Sequence, residues 1–308
     1  MHDVMASYDS LYCAFQTVKE NHGSPGVDGV TIERFEDDFA TNLSFLSREL
    51  RNKSYSPLPL LRILVDKGNG EARPLCIPAV RDRVVQTAVL KEIEPILDKE
   101  FEDCSFAYRR GRSVRQAAHR IQELYNDGYR WLVDADIDAF FDKIDHGLLF
   151  EKLRRYIHNE EIEQLIKMWV KGEVWDGESI FTIKEGIPQG SPVSPILANL
   201  FLDELDEALL EQNQKLVRFA DDFVVLCRTK EDAWRSLELT NDVLRKLHLE
   251  LDEADITSFD HGFTFLGVTF VRSLIMVPFD RPKKERKVLY YPPPLDMTIY
   301  DLKKKKGW

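Results

Sequence analysis

The stretch RFADDFVVLC (218–227) sets two adjacent aspartates between aromatic and β-branched residues. In a regular strand, neighbours point to opposite faces, so one of Asp221 and Asp222 would be buried without a partner. A tight turn removes that cost by bringing both near its tip. The pattern predicts two short strands over 216–227 joined by an acidic turn. Its carboxylates are hard oxygen donors of the kind that hold Mg²⁺. An exposed hairpin turn, where aspartate is common, is the plainer alternative.

Upstream, DADIDAFFDKIDH (134–146) holds five aspartates in thirteen residues. It opens on WLVDADI (131–137), which reads as a strand. A solvated loop with Asp145 as a helix cap would account for the acids. Phe140 and Phe141 beside them imply a partly buried wall instead. Carboxylates converging from two strand ends are the arrangement that holds two divalent ions about 4 Å apart for in-line phosphoryl transfer.

Around this centre the signals alternate without a βαβ rhythm or a repeat. Helices are expected over 8–20, 31–52 (capped by Thr31), 82–99, 113–126 (capped by Ser113), 145–156, 160–171, 194–211 and 231–248. LLRILV (60–65) and PLCI (74–77), around the turn KGNG (67–70), read as a hairpin. SIFTIKEG (179–186) and FTFLGVTFV (263–271) add strands. The mix is α+β with a mostly antiparallel sheet.

With 308 residues, 44% hydrophobic and 11% aromatic, the chain can bury a core without staples. Its four cysteines form no CxxC pair, which argues against a disulfide framework or a structural zinc site and suits the cytoplasm. The longest apolar candidate, 263–279, is interrupted by Gly267, Arg272 and Ser273, so no membrane span is expected. MHDVMASYDS has neither the basic region nor the apolar core of a signal peptide. The net charge of −11 hides a gradient, since residues 281–308 carry nine Lys/Arg against three Asp/Glu. Any nucleic-acid site must therefore be focused locally.

Taken together, DIDAFFDKIDH, GIPQGSPVSPILANLFLDELD and RFADDFVVL resemble, in order and separation, the central palm motifs of reverse transcriptases. GSPGVDGVT (23–31), RPLCIPAVRDRVVQTAVL (73–90), FAYRRGRSVRQAA (106–118) and FTFLGVTF (263–270) extend the resemblance over about residues 20–272. It points to the bacterial lineage of group II intron and CRISPR-associated enzymes. The resemblance implies a right-hand polymerase fold with fingers and palm, the thumb absent or truncated. It implies an N-terminal helical extension over 1–52, mainly fingers over 53–130, mainly palm over 131–272 and a basic tail over 273–308; from Asp280 on, Pro292–Pro294 and Lys303–Lys306 by themselves read as a linker or mobile arm. The reverse transcriptase domain itself would run over about 45–272.

By position in these motifs, Asp136 and Asp221 are metal ligands, Asp222 is the second aspartate of the turn, and the main chain of Ile137 adds an oxygen. The cofactors implied are two Mg²⁺ ions, with Mn²⁺ as the substitute to test. Phe141 matches the bulky gate against a 2′-hydroxyl, with core packing as the alternative. Lys67 and Arg73 match the pair that clasps the triphosphate, with an exposed charged turn as the alternative. Gln189 and Gly190 lie where the family packs against nucleotide and template. Arg109, Arg110 and Arg112, interleaved with aromatics, suit a template strand, as does Phe219 beside the turn. A solvated helix start would also explain the arginines.

Two features depart from the family pattern. Phe219 stands where a tyrosine is commoner, and Asp255, in LELDEADIT (249–257), stands where a lysine often donates a proton to pyrophosphate. Without that lysine, another group donates the proton or turnover is slow. The activity implied is RNA-directed DNA polymerisation from dNTPs on an RNA template and a DNA or RNA primer. The biological role implied is cDNA synthesis for CRISPR spacer acquisition, beside an adaptation integrase complex. The competing readings are a catalytically weak RNA-binding or assembly subunit, and an untemplated DNA polymerase of a phage-defence system.

Overall fold

A computed structural model describes residues 5–66, 70–277, 287–298, 300 and 301. The chain forms two compact units, each assembled from separated stretches. One takes Met1–Ile96, Arg154–Ser194 and Glu285–Trp308, and the other takes Leu97–Leu153 and Pro195–Lys284. This division differs from the consecutive one expected from the sequence. The segment 97–130, expected with the fingers, falls in the same unit as the 131–137 strand, and 154–194 falls in the other.

In the first unit, helices α1 (Tyr8–Glu20), α2 (Ile32–Asp37) and α3 (Phe39–Arg51) pack through Leu11, Phe15, Phe35, Leu43, Leu46 and Leu50. Ser7 caps α1 and Thr31 caps α2, each accepting a backbone N–H three residues on. The single helix expected over 31–52 is broken at Asp38, whose backbone leaves the helical region. A hairpin follows, β1 (Leu60–Asp66) and β2 (Ala72–Ile77), registered from Leu61↔Ile77 to Asp66↔Ala72. Helix α4 (Val80–Leu97) buries Val84, Val85, Ala88 and Val89.

In the second unit, helix α5 (Val114–Asn126) is capped by Ser113 and buries Ala117, Ala118, Ile121 and Leu124, the predicted stripe. Strand β3 (Trp131–Ile137) leads into the single turn α6 (Phe140–Lys143) and then α7 (His146–Tyr156), which Asp145 caps by accepting from the Leu148 N–H at 2.9 Å. Back in the first unit, α8 (Glu160–Val170), β4 (Glu173–Trp175) and β5 (Ile180–Thr182) follow. β4 pairs in parallel with β1 at Leu60 and Leu61.

Helix α9 (Ser194–Glu211) precedes β6 (Lys215–Phe219) and β7 (Asp222–Cys227), which are two strands around an acidic turn, as the sequence predicts. After α10 (Lys230–Lys246) comes β8 (Leu251–Ser258), a strand the sequence reading missed. The second unit's main sheet has the order β6-β7-β3-β8, and every pair in it is antiparallel. β9 (Phe263–Phe265), β10 (Val268–Val271) and β11 (Leu274–Met276) form a three-stranded meander.

The expected linker or mobile arm needs correction. Residues 287–298, 300 and 301 return to the first unit, and Val288–Tyr290 form a strand, β12, on the free edge of β1. The residues expected as a lysine-rich tail end, 303–306, lie outside the described residues.

Candidate active site

The pleat of the central sheet explains where the acids lie. On β3, residues 132, 134 and 136 share one face. Across the strand pair, Leu132 faces Leu226 and Asp134 faces Val224. One step beyond the last registered pair, Ala135↔Phe223, come Asp136 and Asp222. Leu132, Val217, Val224 and Leu226 join a core with Ile121, Leu124 and Phe259. The same face thus grades from apolar core at one end to carboxylates at the other.

The turn is tight. Phe219 pairs with Asp222, leaving only Ala220 and Asp221 between the strands. Ala220 takes a left-handed backbone with φ +62°. Phe219 packs partly buried against the core. Asp136, Asp221 and Asp222 therefore gather at one sheet end, and Ile137 follows directly with its side chain buried. The Asp136 carboxylate accepts the Ile137 N–H at 2.9 Å.

The crowding shows in the raised pKa values of two of these carboxyls. Asp222 has an exposed edge, yet loss of water is the first cause raising its pKa to about 6, followed by the charges of Asp136, Asp221 and Asp134. Asp134 is also pushed up to about 6, by burial and then by Asp255 and Asp136. Asp255 lies opposite Asp134 on β8, so this sheet carries another negative charge there. Among the described residues, no three His, Cys, Asp or Glu side chains are already gathered to hold a metal. The donor chemistry fits a hard divalent cation all the same, because the groups are carboxylates whose mutual repulsion a cation relieves.

What fixes the turn is a side chain that sequence reasoning missed. Arg218, on β6, has no exposed surface. Its guanidinium donates to both carboxylate oxygens of the equally buried Asp206 on α9, to Asn199 Oδ1 at 3.1 Å and to the Ala220 carbonyl at 3.1 Å. Burial opposes the charge on Arg218 and Asp206 outweighs it, so the guanidinium is held more firmly protonated than usual. Its main chain bonds Cys104 and Phe106, and Asn199 Nδ2 donates to the Ala107 carbonyl at 2.8 Å. The Arg218 side chain thereby clamps helix and acidic turn, while its main chain and Asn199 hold the loop before Tyr108. An arginine directly before an acidic turn, with an aspartate on a strongly apolar helix, was the available signal.

The other expected residues divide. Phe140 is buried near Phe201, whereas Phe141 stays half-buried, edge-on to Phe140 at 5.4 Å. Core packing thus falls to Phe140. Arg109 needs correction as a template contact. Its buried guanidinium is spent on Asp98, the Asp98 carbonyl and the carbonyls of Glu102 and Ser105. Arg112 pairs with Asp103 and covers the Phe106 ring, while Arg110 and Tyr108 are exposed.

In the first unit, Arg73 is exposed on the hairpin opposite Val65, and Lys67 lies outside the described residues. The Gln189 carbonyl accepts the Cys76 N–H at 2.7 Å. Gly190 has φ +114°, and a Cβ there would lie 2.7 Å from the Cys76 carbonyl oxygen, so close backbone packing already demands glycine.

The family model for reverse transcriptase (RNA-dependent DNA polymerase) matches residues 65–270. The chain belongs to this family. Protein YkfC of Escherichia coli K12 is 33% identical over 290 residues, 81% of this chain and 76% of that protein. The group II intron-encoded protein LtrA of Lactococcus lactis subsp. cremoris is 32% identical over 213 residues, covering 68% of this chain. The chain spans only 35% of LtrA's length. A solved telomerase from Candida tropicalis, in complex with a fragment of telomeric RNA, shares the fold. Its TM-score is 0.57 at 13% identity, over 90% of this chain and 53% of that one. The chain thus carries the fingers-and-palm domain of an RNA-directed DNA polymerase, and membership brings a general dependence on divalent metal. Among the described residues, no helix is long and apolar enough to cross a membrane.

Two outcomes follow from the geometry. Arg218→Met leaves Asp206 buried and unpaired and is expected to cost about 3–5 kcal/mol in urea unfolding, most of it recovered in Arg218→Met/Asp206→Leu. The second concerns pH. A carboxyl whose pKa is raised on folding contributes stability below its unfolded value, 3.8, and loses it as pH rises through about 6. In EDTA at pH 7.5, Asp222→Asn should therefore raise the melting temperature by about 1–3 °C, and the gain should vanish near pH 3.5.

Proposed function

We propose that this chain copies RNA into DNA, joining a deoxynucleotide from a dNTP to a primer 3′-hydroxyl. The observation that carries this reading is the sheet end where Asp136 and Asp222 stand at neighbouring positions on β3 and β7, with Asp221 in the turn. Asp136, Asp221, Asp222 and the Ile137 main chain would hold two Mg²⁺ ions. Bound there, Mg²⁺ supplies charge stabilisation to the attacking and leaving oxygens.

The chain's own residues do the rest. Arg218 keeps the turn in one conformation, so the Asp221 and Asp222 carboxylates are pre-positioned rather than ordered at each turnover. Phe141, held edge-on by Phe140, places an aromatic wall that a 2′-hydroxyl would strike. Arg73 and Lys67 give the triphosphate a fork and a point charge. Arg110, with Tyr108, replaces Arg109 as the basic and aromatic contact for the template backbone. The partners are an RNA template, a DNA or RNA primer and dNTPs. The adaptation integrase rests on the sequence resemblance and is tested by co-purification with a Cas1–Cas2 complex.

The deciding assay is primer extension with an RNA template, a DNA primer, dNTPs and Mg²⁺ or Mn²⁺. The wild type should extend, and Asp221→Ala/Asp222→Ala should lose on the order of a thousandfold in rate, several kcal/mol of charge stabilisation. Template binding without extension in either metal would sink the polymerase reading in favour of an RNA-binding subunit. Extension without any template would favour the untemplated polymerase.

Phe141→Ala makes a separate point about sugar selection. It should raise ribonucleotide incorporation relative to deoxynucleotide by about 10- to 200-fold, the range of a steric discrimination of 1–3 kcal/mol. Unchanged discrimination would return Phe141 to plain packing.

A further inference from the structure

The β1–β2 hairpin is unevenly supported. At its base, β4 pairs with Leu60 and Leu61. Toward the tip, β2 alone would remain beside Leu64, Val65 and Asp66, and an isolated two-stranded hairpin is marginal in water. β12 occupies the open edge there. Leu64 pairs with Tyr290 and Val65 with Val288, and the Asp66 N–H donates to the Lys287 carbonyl at 2.9 Å. That bond falls immediately before Lys67, and Arg73 sits opposite Val65.

The segment beyond β12 is anchored at separate points. Tyr291 Oη donates to the Pro25 carbonyl at 3.1 Å, Trp175 Nε1 donates to the Pro293 carbonyl at 2.9 Å, and the Leu295 N–H donates to the Val27 carbonyl at 3.0 Å. Leu295 and Met297 pack against Val27, Leu61, Ile63 and Val65. The turn between β4 and β5 is shaped to the segment as well. A Cβ at Gly177, whose φ is +105°, would lie 2.2 Å from Tyr290 Oη.

The strand itself is only lightly buried. Val288, Leu289 and Tyr290 remain 41–48% exposed. Its hold on the hairpin is therefore backbone pairing at an edge, plus anchors further along, rather than core burial. A solvated tail would leave the β1 edge unpaired and would need neither the Leu295 anchor nor the glycine at 177.

We propose that residues 287–298 are a positioning segment for nucleotide binding. They complete the outer part of the β1–β2 hairpin, Leu64–Asp66, as a three-stranded element, which holds Arg73, opposite Val65, ready for the triphosphate of the incoming dNTP. The proposal rests on the polymerase reading for its substrate, but not for its structural half.

The test uses the full chain with Leu295→Asp, and separately with Trp175→Phe/Tyr291→Phe, which removes two anchoring bonds while keeping an aromatic ring at each position. Leu295→Met is the conservative control. Both disruptive variants should raise the exchange rate of the Asp66 amide at least about tenfold, a loss of about 1.4 kcal/mol of local stability, with the β3 and β7 amides unchanged. They should also raise the KM for dNTP several-fold with kcat and template affinity within about twofold, while Leu295→Met behaves as wild type. Faster exchange with an unchanged dNTP KM would reduce the segment to a structural strap. Unchanged exchange would overturn the proposal outright. A wild type that extends no primer would fail the polymerase reading by itself, and the Asp66 amide would still decide whether the segment holds the hairpin.

Discussion

A fully buried guanidinium, Arg218, holds the acidic turn in place from behind. Charge is expensive inside a protein unless it is paired and every donor is used. Here Asp206, Asn199 and the Ala220 carbonyl accept from it. The left-handed Ala220 is a conformation that residues with a Cβ seldom adopt, and the bond to its carbonyl stabilises the strained point. The two sides of the β6–β7 hairpin thus have opposite electrostatics. A satisfied ion pair lies toward α9, and mutually repelling carboxylates lie on the face shared with Asp136.

That asymmetry locates the strain. Asp203, one turn before Asp206, is pushed up to about 7 by burial and then by Asp206 and Glu207, so even the clamp stands in an excess of negative charge. Asp134 and Asp255 add to the excess on the sheet face. A sheet end with these charges is destabilising in isolation, and on the proposed reading a bound cation would offset that cost. It is the kind of local conflict that marks a functional site within an otherwise consistent sequence.

The legible parts of the molecule were those governed by local rules. Period-2 alternation and the cost of burying one of two adjacent aspartates located the β6–β7 turn. Capping residues located α5 and α7, and the motif order gave the family. Three things escaped, each for a physical reason. β8 carries Asp252, Glu253 and Asp255, residues with poor strand propensity, and it is a strand because its neighbour β3 supplies the partner. The Arg218–Asp206 pair joins residues twelve apart on different elements, and no periodicity reports such a contact. β12 has its partner more than two hundred residues upstream, and its proline-rich continuation looks like a linker until the 23–30 loop and Trp175 provide acceptors and donors for it. Arg109 failed in the opposite direction, since a basic and aromatic run gives no hint that one of its arginines faces inward.

The clamp's chemistry also bears on why it is an ion pair at all. Well-packed apolar residues of similar volume often replace a buried pair without loss of stability. Stability alone therefore does not require Arg218 and Asp206. An apolar pair, however, could not reach the Ala220 carbonyl or the Asn199 side chain. The backbone conformation of the turn would then depend on packing, which tolerates small shifts, rather than on directed bonds, which do not. On the proposed reading, two carboxylates that would meet the same cations at every turnover need the stricter constraint. The guanidinium supplies it because its planar fork engages Asp206 while a remaining N–H group reaches the turn. On this reasoning the pair serves geometry rather than folding free energy. A lysine at 218, with its point charge and no fork, would preserve the sign of the charge and lose the clamp.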